Sequence, residues 1–328
     1  MKRPAEAPVA ARVLVTGATG FVGRATSDAL LARGADVLGA VRAPDRAEAL
    51  RDGVRPVVVG DLARPVEWAG ALGSVDAVIH LAARVHVMRD SAADAEAAYR
   101  RLNVDATLEL ARAAAAAGVR RFVYVSSVKA AAERSGARPL TERDPPAPED
   151  AYGRSKLAAE QALGGVAHGT GMEVVIVRPP LVYGPGVGGN FARLAALVRL
   201  AARVPLPLRS ANRRSLVYVG NLADALGTVA VHPGAAGGTY FVRDGDDLST
   251  ADLLRQLGAP VGIRPRLIPA PVRLMRAAAA AAGREAVVSR LLGTLQVDDA
   301  ALRRDYRWRA PFDLPTALGV TARALFAR

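Results

Sequence analysis

The chain has 328 residues, of which 51% are hydrophobic and 23% are charged, a balance typical of a globular protein with a sizeable core. It contains no cysteine, which excludes disulfides, and its N-terminal residues lack the apolar run of a signal peptide, so we expect a cytoplasmic protein. The formal net charge is +13, but the arginines that carry it are scattered singly, which favours small anionic ligands over nucleic acid. We predict no membrane span and no metal site.

The first pattern in the chain is a strand, a glycine turn and a helix. The β-branched run Arg12–Val15 predicts a buried strand, and from Phe21 the apolar residues share one helical face. Gly17 permits a tight turn, Gly20 lets the backbone approach a pyrophosphate, and Gly23 lets the helix pack close to the strand. Because a helix N-terminus offers N–H groups to phosphates, this stretch predicts a dinucleotide site, the alternative being a merely tight turn.

Strand and helix patterns alternate as far as Pro180. Further apolar runs predict strands at Asp36–Val41, Val54–Gly60, Val75–Leu81, Arg121–Val125 and Val174–Val177. This alternation predicts an α/β fold with a doubly wound parallel sheet. We assign residues 1–180 to a Rossmann domain, to which about 216–242 return, and 181–328 mainly to a small interleaved substrate-binding lobe.

The residue that follows the second predicted strand is Arg42. An Asp or Glu at this position would bond the ribose hydroxyls of NAD, whereas an arginine suits the 2′-phosphate of NADP. We therefore favour NADP over NAD. NAD stays open, because Arg42 can equally be a solvated loop residue.

The loop after the fourth predicted strand holds Arg84 and His86. Ligands bind at the carboxyl ends of strands in sheets of this kind, so both residues are candidate substrate contacts. A lone histidine is more often structural, and that alternative stays open for His86.

Tyr152 and Lys156 are four residues apart on a predicted helix and therefore share a face. An unperturbed tyrosine has a pKa of about 10, and we expect the neighbouring ammonium to lower it. Tyr152 could then exchange a proton with an alcohol or a carbonyl as hydride is transferred. Ser127, at the end of the fifth predicted strand, could hydrogen-bond the reacting oxygen. The alternative is a surface Tyr–Lys pair and a serine that caps a strand end.

Several segments resemble one family over nearly the whole chain, the extended short-chain dehydrogenase/reductases of the nucleotide-sugar epimerase/dehydratase type. The segments are TGATGFVG, HLAA, VYVSS, YGRSK, RPPLVYGPG and RSLVYVGNLADA. The resemblance implies that Ser127, Tyr152 and Lys156 are catalytic, and that Asn190 and Arg214 hold a sugar nucleotide's diphosphate. The resemblance also implies that Tyr152 and Lys156 contact the cofactor. The other implied cofactor contacts are Gly17, Gly20, Phe21, Val22, Gly23, Asp61, Leu62, Leu81, Ala82, Ala83, Pro179 and Pro180.

One departure from the family pattern narrows the predicted reaction. The family's dehydratases carry an Asp-Glu pair directly after the catalytic Ser or Thr, whereas Ser127 is followed by Val128 and Lys129, so water loss is disfavoured. Two reactions at C4 stay open, reduction of a UDP-4-keto-6-deoxy (N-acetyl) sugar for surface-polysaccharide synthesis and 4-epimerisation with tightly bound NAD. We favour the reductase, because the segments HLAARVHVM, GVGGNF, NRRSLVYV and LQVDD resemble the branch of the family that serves surface-polysaccharide synthesis. Arg42 also favours exchangeable NADPH.

Two other classes are compatible with the same fold. A non-catalytic NADP-binding regulator would typically lack the Tyr or the Lys, and an oxidoreductase of a steroid- or flavonoid-like alcohol would not need Asn190 and Arg214. The family resemblance further implies a homodimer through the helices Ala92–Ala117 and Tyr152–Gly164.

Overall fold

Short apolar strands alternate with helices along most of the chain. The computed structural model describes residues 11–85, 92–208, 212–234, 237–269 and 292–327. Its strands are β1 (Arg12–Thr16), β2 (Asp36–Val41), β3 (Arg55–Val58), β4 (Ala77–His80), β5 (Arg121–Val125), β6 (Glu173–Arg178), β7 (Leu181–Tyr183), β8 (Leu206–Pro207), β9 (Leu216–Tyr218), β10 (Gly238–Phe241) and β11 (Leu267–Ile268). Its α-helices are α1 (Phe21–Leu31), α2 (Ala69–Leu72), α3 (Ala92–Tyr99), α4 (Ala106–Ala116), α5 (Ala151–Thr170), α6 (Gly189–Arg203), α7 (Val219–Val231), α8 (Thr250–Gly258), α9 (Ala300–Tyr306) and α10 (Leu314–Phe326).

Seven of these strands form one sheet, in the order β10-β6-β5-β4-β1-β2-β3. Every neighbouring pair in it is parallel. The chain reverses its direction of winding at β1, which places the carboxyl ends of β1 and β4 side by side. A ligand crevice is expected at such a switch point. The predicted doubly wound parallel α/β fold is confirmed.

The sheet is covered on both faces, which explains why its strands are almost continuously apolar. Successive residues of β1 point to opposite faces, so that Val13 and Val15 pack with α1 and α7, whereas Leu14 packs with α4 and α5. A further apolar cluster joins α6, α8 and α10, and includes Tyr183 and Phe191. The division into a Rossmann domain and a substrate lobe stays a prediction.

The long helix predicted at Ala92–Ala117 is present but interrupted. α3 and α4 are joined by a π-helical turn, Arg100–Asp105. Asn103 in this turn is completely buried, so its side chain faces inward at the point where the helix widens. Such turns are frequent near functional sites. Within the described ranges, the helices lack the length and hydrophobicity needed to cross a membrane.

Candidate active site

The glycine turn joins β1 to α1 at the carboxyl edge of the sheet. Gly17 has φ +66°, and a Cβ there would lie 3.0 Å from a backbone nitrogen that follows β4. A Cβ on Gly23 would overlap the carbonyl oxygen of Gly17, so only glycine permits the helix to pack this closely. Gly20 precedes α1 without a side-chain cap, and the N–H groups of Phe21 and Val22 lie in the first turn. This cradle fits a pyrophosphate.

A buried histidine ties the glycine turn to the neighbouring strand. His80 ends β4, with Nδ1 2.7 Å from Thr16 Oγ1 and Nε2 3.0 Å from Thr107 Oγ1. Burial lowers the pKa of His80 to about 3, so the ring is neutral. Thr16 Oγ1 also accepts the N–H groups of Leu81 and Ala82, both at 3.2 Å. Sequence reasoning missed these contacts, although they hold the segment predicted to line the cofactor ribose.

Arg42 and Asp61 meet beyond the ends of β2 and β3. Arg42 Nη2 lies 3.8 Å from Asp61 Oδ1, and the two side chains are 72% and 41% exposed. Leu62 packs on the face of the sheet that α4 and α5 cover. The structure therefore brings the residue predicted to select the cofactor next to the residues predicted to meet its adenine.

Ser127 and Tyr152 are brought together by two closely packed turns. Ser127 follows β5 and caps the short 3₁₀ turn Val128–Ala130 by accepting the N–H of Lys129 at 3.2 Å. Tyr152 lies in the first turn of α5, and its phenol is hydrogen-bonded to the Ser127 side chain. Gly153 permits this approach, because a Cβ there would overlap the carbonyl oxygen of Lys129.

The predicted nicotinamide contacts pack against the same turn. Pro179 and Pro180 follow β6 and are buried. The carbonyl oxygen of Pro179 accepts the N–H of Val128 at 2.9 Å, and that of Val177 accepts the N–H of Ser126 at 2.8 Å. The ends of β5 and β6 are thus held together directly below Ser127.

The pKa of Tyr152 moves in the opposite direction from the one predicted. Burial raises it to about 12, and the hydrogen bond from Ser127 lowers it only in part. The prediction that Lys156 lowers this pKa is wrong for this structure. Lys156 Nζ lies 6.0 Å from the centroid of the Tyr152 ring and donates instead to the carbonyl oxygen of Val125. The phenol is therefore protonated at neutral pH.

Lys156 is buried beneath the end of β5. Its Nζ donates to the Val125 carbonyl oxygen at 2.9 Å and lies 4.6 Å from the centroid of the Tyr124 ring. Burial lowers the pKa of Lys156 to about 7, against the opposing effect of the Glu160 carboxylate. The ammonium thus sits where its charge is costly and sensitive to its neighbours.

Arg84, a predicted substrate contact, is held within the site by Asn103. The Asn103 side chain accepts the Arg84 N–H at 2.8 Å, donates to the Arg84 carbonyl oxygen at 3.2 Å and donates to Ser155 Oγ at 2.9 Å. The Arg84 guanidinium lies 5.9 Å from the Tyr99 ring centroid, and Tyr99 packs edge-on against Tyr152. Sequence reasoning gave no role to Tyr99 or Asn103, although their four-residue spacing on the predicted helix places them on one face.

Of the remaining predicted substrate contacts, the structure describes Arg214 fully, Asn190 only in its backbone and His86 not at all. His86 lies outside the described residues, and Asn190 lies in the first turn of α6 with its side chain outside them. The backbone of Arg214 bonds that of Leu248 in both directions, at 2.9 and 3.1 Å, and its Nη1 donates to the Gly293 carbonyl oxygen at 3.1 Å. Burial lowers the pKa of Arg214.

Lys129 bridges two carboxylates beside the Ser127 turn. Its Nζ lies 2.5 Å from Asp150 Oδ2 and 3.0 Å from Glu133 Oε1. Asp150 also caps α5 by accepting the N–H of Gly153 at 2.7 Å. The bridge therefore joins the turn that carries Ser127 to the helix that carries Tyr152. No group of three His, Cys, Asp or Glu that could hold a metal ion is found among the described residues.

A glycine cradle before a helix, a hydrogen-bonded Ser–Tyr pair and a buried lysine on the same helix define an oxidoreductase of the short-chain dehydrogenase/reductase class. Residues 13–242 match the NAD dependent epimerase/dehydratase family, and the chain belongs to this family. It is an enzyme of the nucleotide-sugar epimerase/dehydratase type. The predicted family is thus confirmed.

Known relatives cover most of the chain. A UDP-glucose 4-epimerase of Vibrio cholerae is 37% identical over 313 residues, which are 95% of this chain and 94% of that protein. A 3-beta-hydroxysteroid dehydrogenase of Mycolicibacterium neoaurum is 32% identical over 263 residues, which are 76% of this chain and 70% of that protein. The crystal structure of a Thermus thermophilus UDP-glucose 4-epimerase in complex with NAD is 25% identical, covers 96% of this chain and 98% of that one, and has a TM-score of 0.74.

Proposed function

We propose that the chain is a 4-epimerase of a UDP-linked hexose. The observation that carries the proposal is the Ser127–Tyr152 hydrogen bond beside the glycine cradle, because it offers a proton donor and acceptor where a sugar hydroxyl would meet the cofactor. The nearly full-length similarity to the Vibrio cholerae UDP-glucose 4-epimerase supports this choice of reaction over the reductase that the sequence favoured.

We infer that a dinucleotide binds along the carboxyl ends of β1 to β6. The glycine turn and the first turn of α1 would hold its pyrophosphate, Asp61 and Leu62 its adenine, and 81–83 the adjoining ribose. Lys156 would contact the second ribose, and Pro179 and Pro180 would close over the nicotinamide. When bound, the nicotinamide takes a hydride from a sugar carbon and returns it.

Tyr152 is the residue that moves a proton at the C4 oxygen. When the sugar hydroxyl is oxidised, the Tyr152 phenolate accepts the hydroxyl proton. When the ketone is reduced, the Tyr152 phenol returns that proton. With a pKa of about 12, the phenolate is scarce at neutral pH in the structure without ligands. Proton transfer would therefore require the Lys156 ammonium, 6.0 Å from the Tyr152 ring, to stabilise the phenolate once cofactor and substrate are bound. Ser127 Oγ accepts the N–H of Lys129, and its one hydroxyl hydrogen, donated to Tyr152 in the free site, would pass to the reacting oxygen when substrate binds.

Lys129 argues against a dehydratase. It lies where dehydratases have the second carboxylate of their acid–base pair, and its ammonium is held between Asp150 and Glu133. A bound cation at this position offers no base to remove a proton from the sugar ring. Arg214, whose fork-shaped guanidinium matches phosphate oxygens, remains our candidate for the substrate's diphosphate.

The second candidate function is reduction of a UDP-4-keto-6-deoxy sugar with exchangeable NADPH. Arg42 is the observation that favours it, since the residue lies beyond β2 where a 2′-phosphate would be bound. The Asp61 carboxylate near Arg42 works against this reading, because it would repel that phosphate. The homodimer through the helices Ala92–Ala117 and Tyr152–Gly164 stays a prediction.

The nucleotide content of the purified protein distinguishes the two candidates. We expect released NAD or NADH at close to one per chain, and interconversion of UDP-glucose and UDP-galactose, or of their N-acetylated forms, without added cofactor. A protein that is purified empty, binds NADPH and reduces a UDP-4-keto-6-deoxy sugar would replace the epimerase with the reductase. A Tyr152→Phe variant that kept its activity would contradict both candidate functions.

A further inference from the structure

A buried ion pair joins α5 to the end of β6 and has no part in the proton transfer proposed for Tyr152. Glu160 and Arg178 are 5% and 6% exposed. Arg178 Nε donates to Glu160 Oε1 at 3.0 Å and Nη2 donates to Oε2 at 2.5 Å, so the guanidinium binds the carboxylate with two parallel hydrogen bonds. Removing two charges from water is costly, and such pairs contribute little net stability. The pair therefore calls for an explanation other than stability.

The position of the pair links the parts of the site. Glu160 follows Lys156 by one turn of α5, and Lys156 follows Tyr152 by one turn, so the three side chains share a helix face. Arg178 is the last residue of β6 and directly precedes Pro179. The pair thus fastens the helix that carries the proton-transferring residues to the strand end that leads to the cofactor's expected position.

Several charged or titratable groups face the Lys156 ammonium. Tyr124 of β5 presents its ring face at 4.6 Å, and Tyr152 lies at 6.0 Å on the same helix. His80 of β4 is close enough for the Lys156 charge to lower its pKa, but it is neutral. Glu160 supplies a negative charge that favours the ammonium, in opposition to burial, and the positive charge of Arg178 on β6, which is hydrogen-bonded to Glu160, offsets part of it.

We propose that Glu160 is a positioning residue: its carboxylate, fixed by Arg178, keeps the buried Lys156 charged beside Tyr152. The use of that charge in proton transfer rests on the proposed function. The electrostatic part does not, because it concerns the protein without substrate. The two hydrogen bonds from Arg178 fix the orientation of the carboxylate, one helical turn from Lys156.

The chain allows a direct measurement of this effect, since Lys2, Lys129 and Lys156 are its only lysines. Protein labelled with ¹³Cε-lysine gives three side-chain signals, which Lys129→Arg and Lys156→Met assign. A pH titration then yields the pKa of Lys156 without substrate or turnover. In Glu160→Gln we expect this pKa to fall by about one pH unit or more, as for loss of an adjacent opposite charge. An unchanged pKa overturns the proposal.

Two further variants separate electrostatics from damage to the fold. Glu160→Gln leaves Arg178 buried without its carboxylate, so the double variant Glu160→Gln/Arg178→Met removes both charges. We expect its Lys156 pKa to lie below that of the unaltered protein but above that of Glu160→Gln, because the repulsion from the guanidinium is removed as well. Glu173→Gln is the matched control, since Glu173 bonds the buried Arg121 at the opposite end of β6, about 16 Å along the strand. An equal fall in the Lys156 pKa in Glu173→Gln would overturn the proposal.

The pH profile of turnover tests the use of the charge. If Lys156 must be charged, its lower pKa in Glu160→Gln moves the alkaline limb of kcat to lower pH by the shift that NMR measures. A profile that stays in place while the Lys156 pKa falls overturns the role assigned to Glu160. Absence of epimerase and reductase activity from the unaltered protein contradicts the proposed function alone, because the titration still reports the effect of Glu160 on Lys156.

Discussion

The two lysines beside the site have opposite surroundings. Lys156 is 2% exposed, and its Nζ meets a carbonyl oxygen and the face of Tyr124. The Lys129 side chain is 25% exposed, and its Nζ lies between the carboxylates of Asp150 and Glu133. We refer to Lys156 as the buried lysine and to Lys129 as the bridging lysine.

The surroundings give the two lysines different roles. The charge of the buried lysine depends on its neighbours, whereas the charge of the bridging lysine holds two segments together. Burial brings the pKa of the buried lysine to about 7, so small changes around it alter its charge in the physiological range. The bridging lysine is held by two carboxylates on different segments, one of which caps α5. The first arrangement suits chemistry, and the second suits the placement of Ser127 against Tyr152.

The largest effect is expected for the tyrosine that the buried lysine supports. Tyr152→Phe removes the hydroxyl that exchanges the proton, and we expect turnover to fall by about 10²- to 10⁴-fold. Affinity for the nicotinamide cofactor should stay nearly unchanged, which fluorescence titration with NADH can measure. Tyr99→Phe is the control, because it removes a hydroxyl from the ring that packs against Tyr152 and should affect turnover far less. Equal losses would contradict the assignment of Tyr152.

The buried lysine should lower the stability of the protein in a manner that depends on pH. Its pKa falls from 10.5 to about 7 on burial, so between these values the unfolded chain holds a proton that the folded chain has released. The free energy of unfolding then rises with pH by about 1.4 kcal/mol per pH unit across this window. Lys156→Met lacks this rise, and we expect it to be more stable than the unaltered protein below pH 7 and similar near pH 10.

Urea unfolding of both proteins across that pH range measures this difference. A difference in stability that does not change with pH would show that the Lys156 ammonium is not strained by burial, and would remove the contrast between the two lysines. Turnover should nevertheless be lost in Lys156→Met at every pH.

Replacing the bridging lysine by methionine should lower the stability of the protein, by less than replacing the buried lysine raises it. Lys129→Met leaves the carboxylates of Asp150 and Glu133 without their shared cation, and we expect a loss of about 1 kcal/mol of stability, the scale of partly exposed ion pairs. Lys129→Arg keeps the positive charge, so we expect it to retain most of this stability. A gain in stability in Lys129→Met, measured by the same urea unfolding, would mean that both lysines destabilise the folded protein and would contradict the contrast between them.

Much of the fold follows from local patterns. β2 and β5 have the predicted bounds, because each is an apolar run that ends at a polar or turn residue. The π-helical turn Arg100–Asp105 was not predictable, since it accompanies hydrogen bonds that Asn103 donates to Arg84 and Ser155, which are distant in sequence. Tertiary contacts of this kind leave no periodic signal.

The candidate site divides in the same way. The four-residue spacing of Tyr152 and Lys156 correctly predicts a shared helix face. It does not predict that Tyr152 is buried, which raises its pKa, or that the Lys156 Nζ turns to the Val125 carbonyl oxygen. The partners of Lys129 and Glu160 come from segments whose proximity only the folded chain establishes.

The smallest effect is expected for Arg42, a third cation that is more exposed than either lysine. At 72% exposure its interaction with a 2′-phosphate is screened by water, and Asp61, 3.8 Å away, already shares its charge. We expect Arg42→Asp to raise the ratio of the Kd for NADPH to that for NADH by about fivefold, or about 1 kcal/mol. Arg51→Asp makes the same change of charge on an arginine paired with Asp28 and should leave the ratio unchanged. Equal ratios in all three proteins would mean that Arg42 does not select the cofactor, and would leave NAD as the simpler choice for an epimerase.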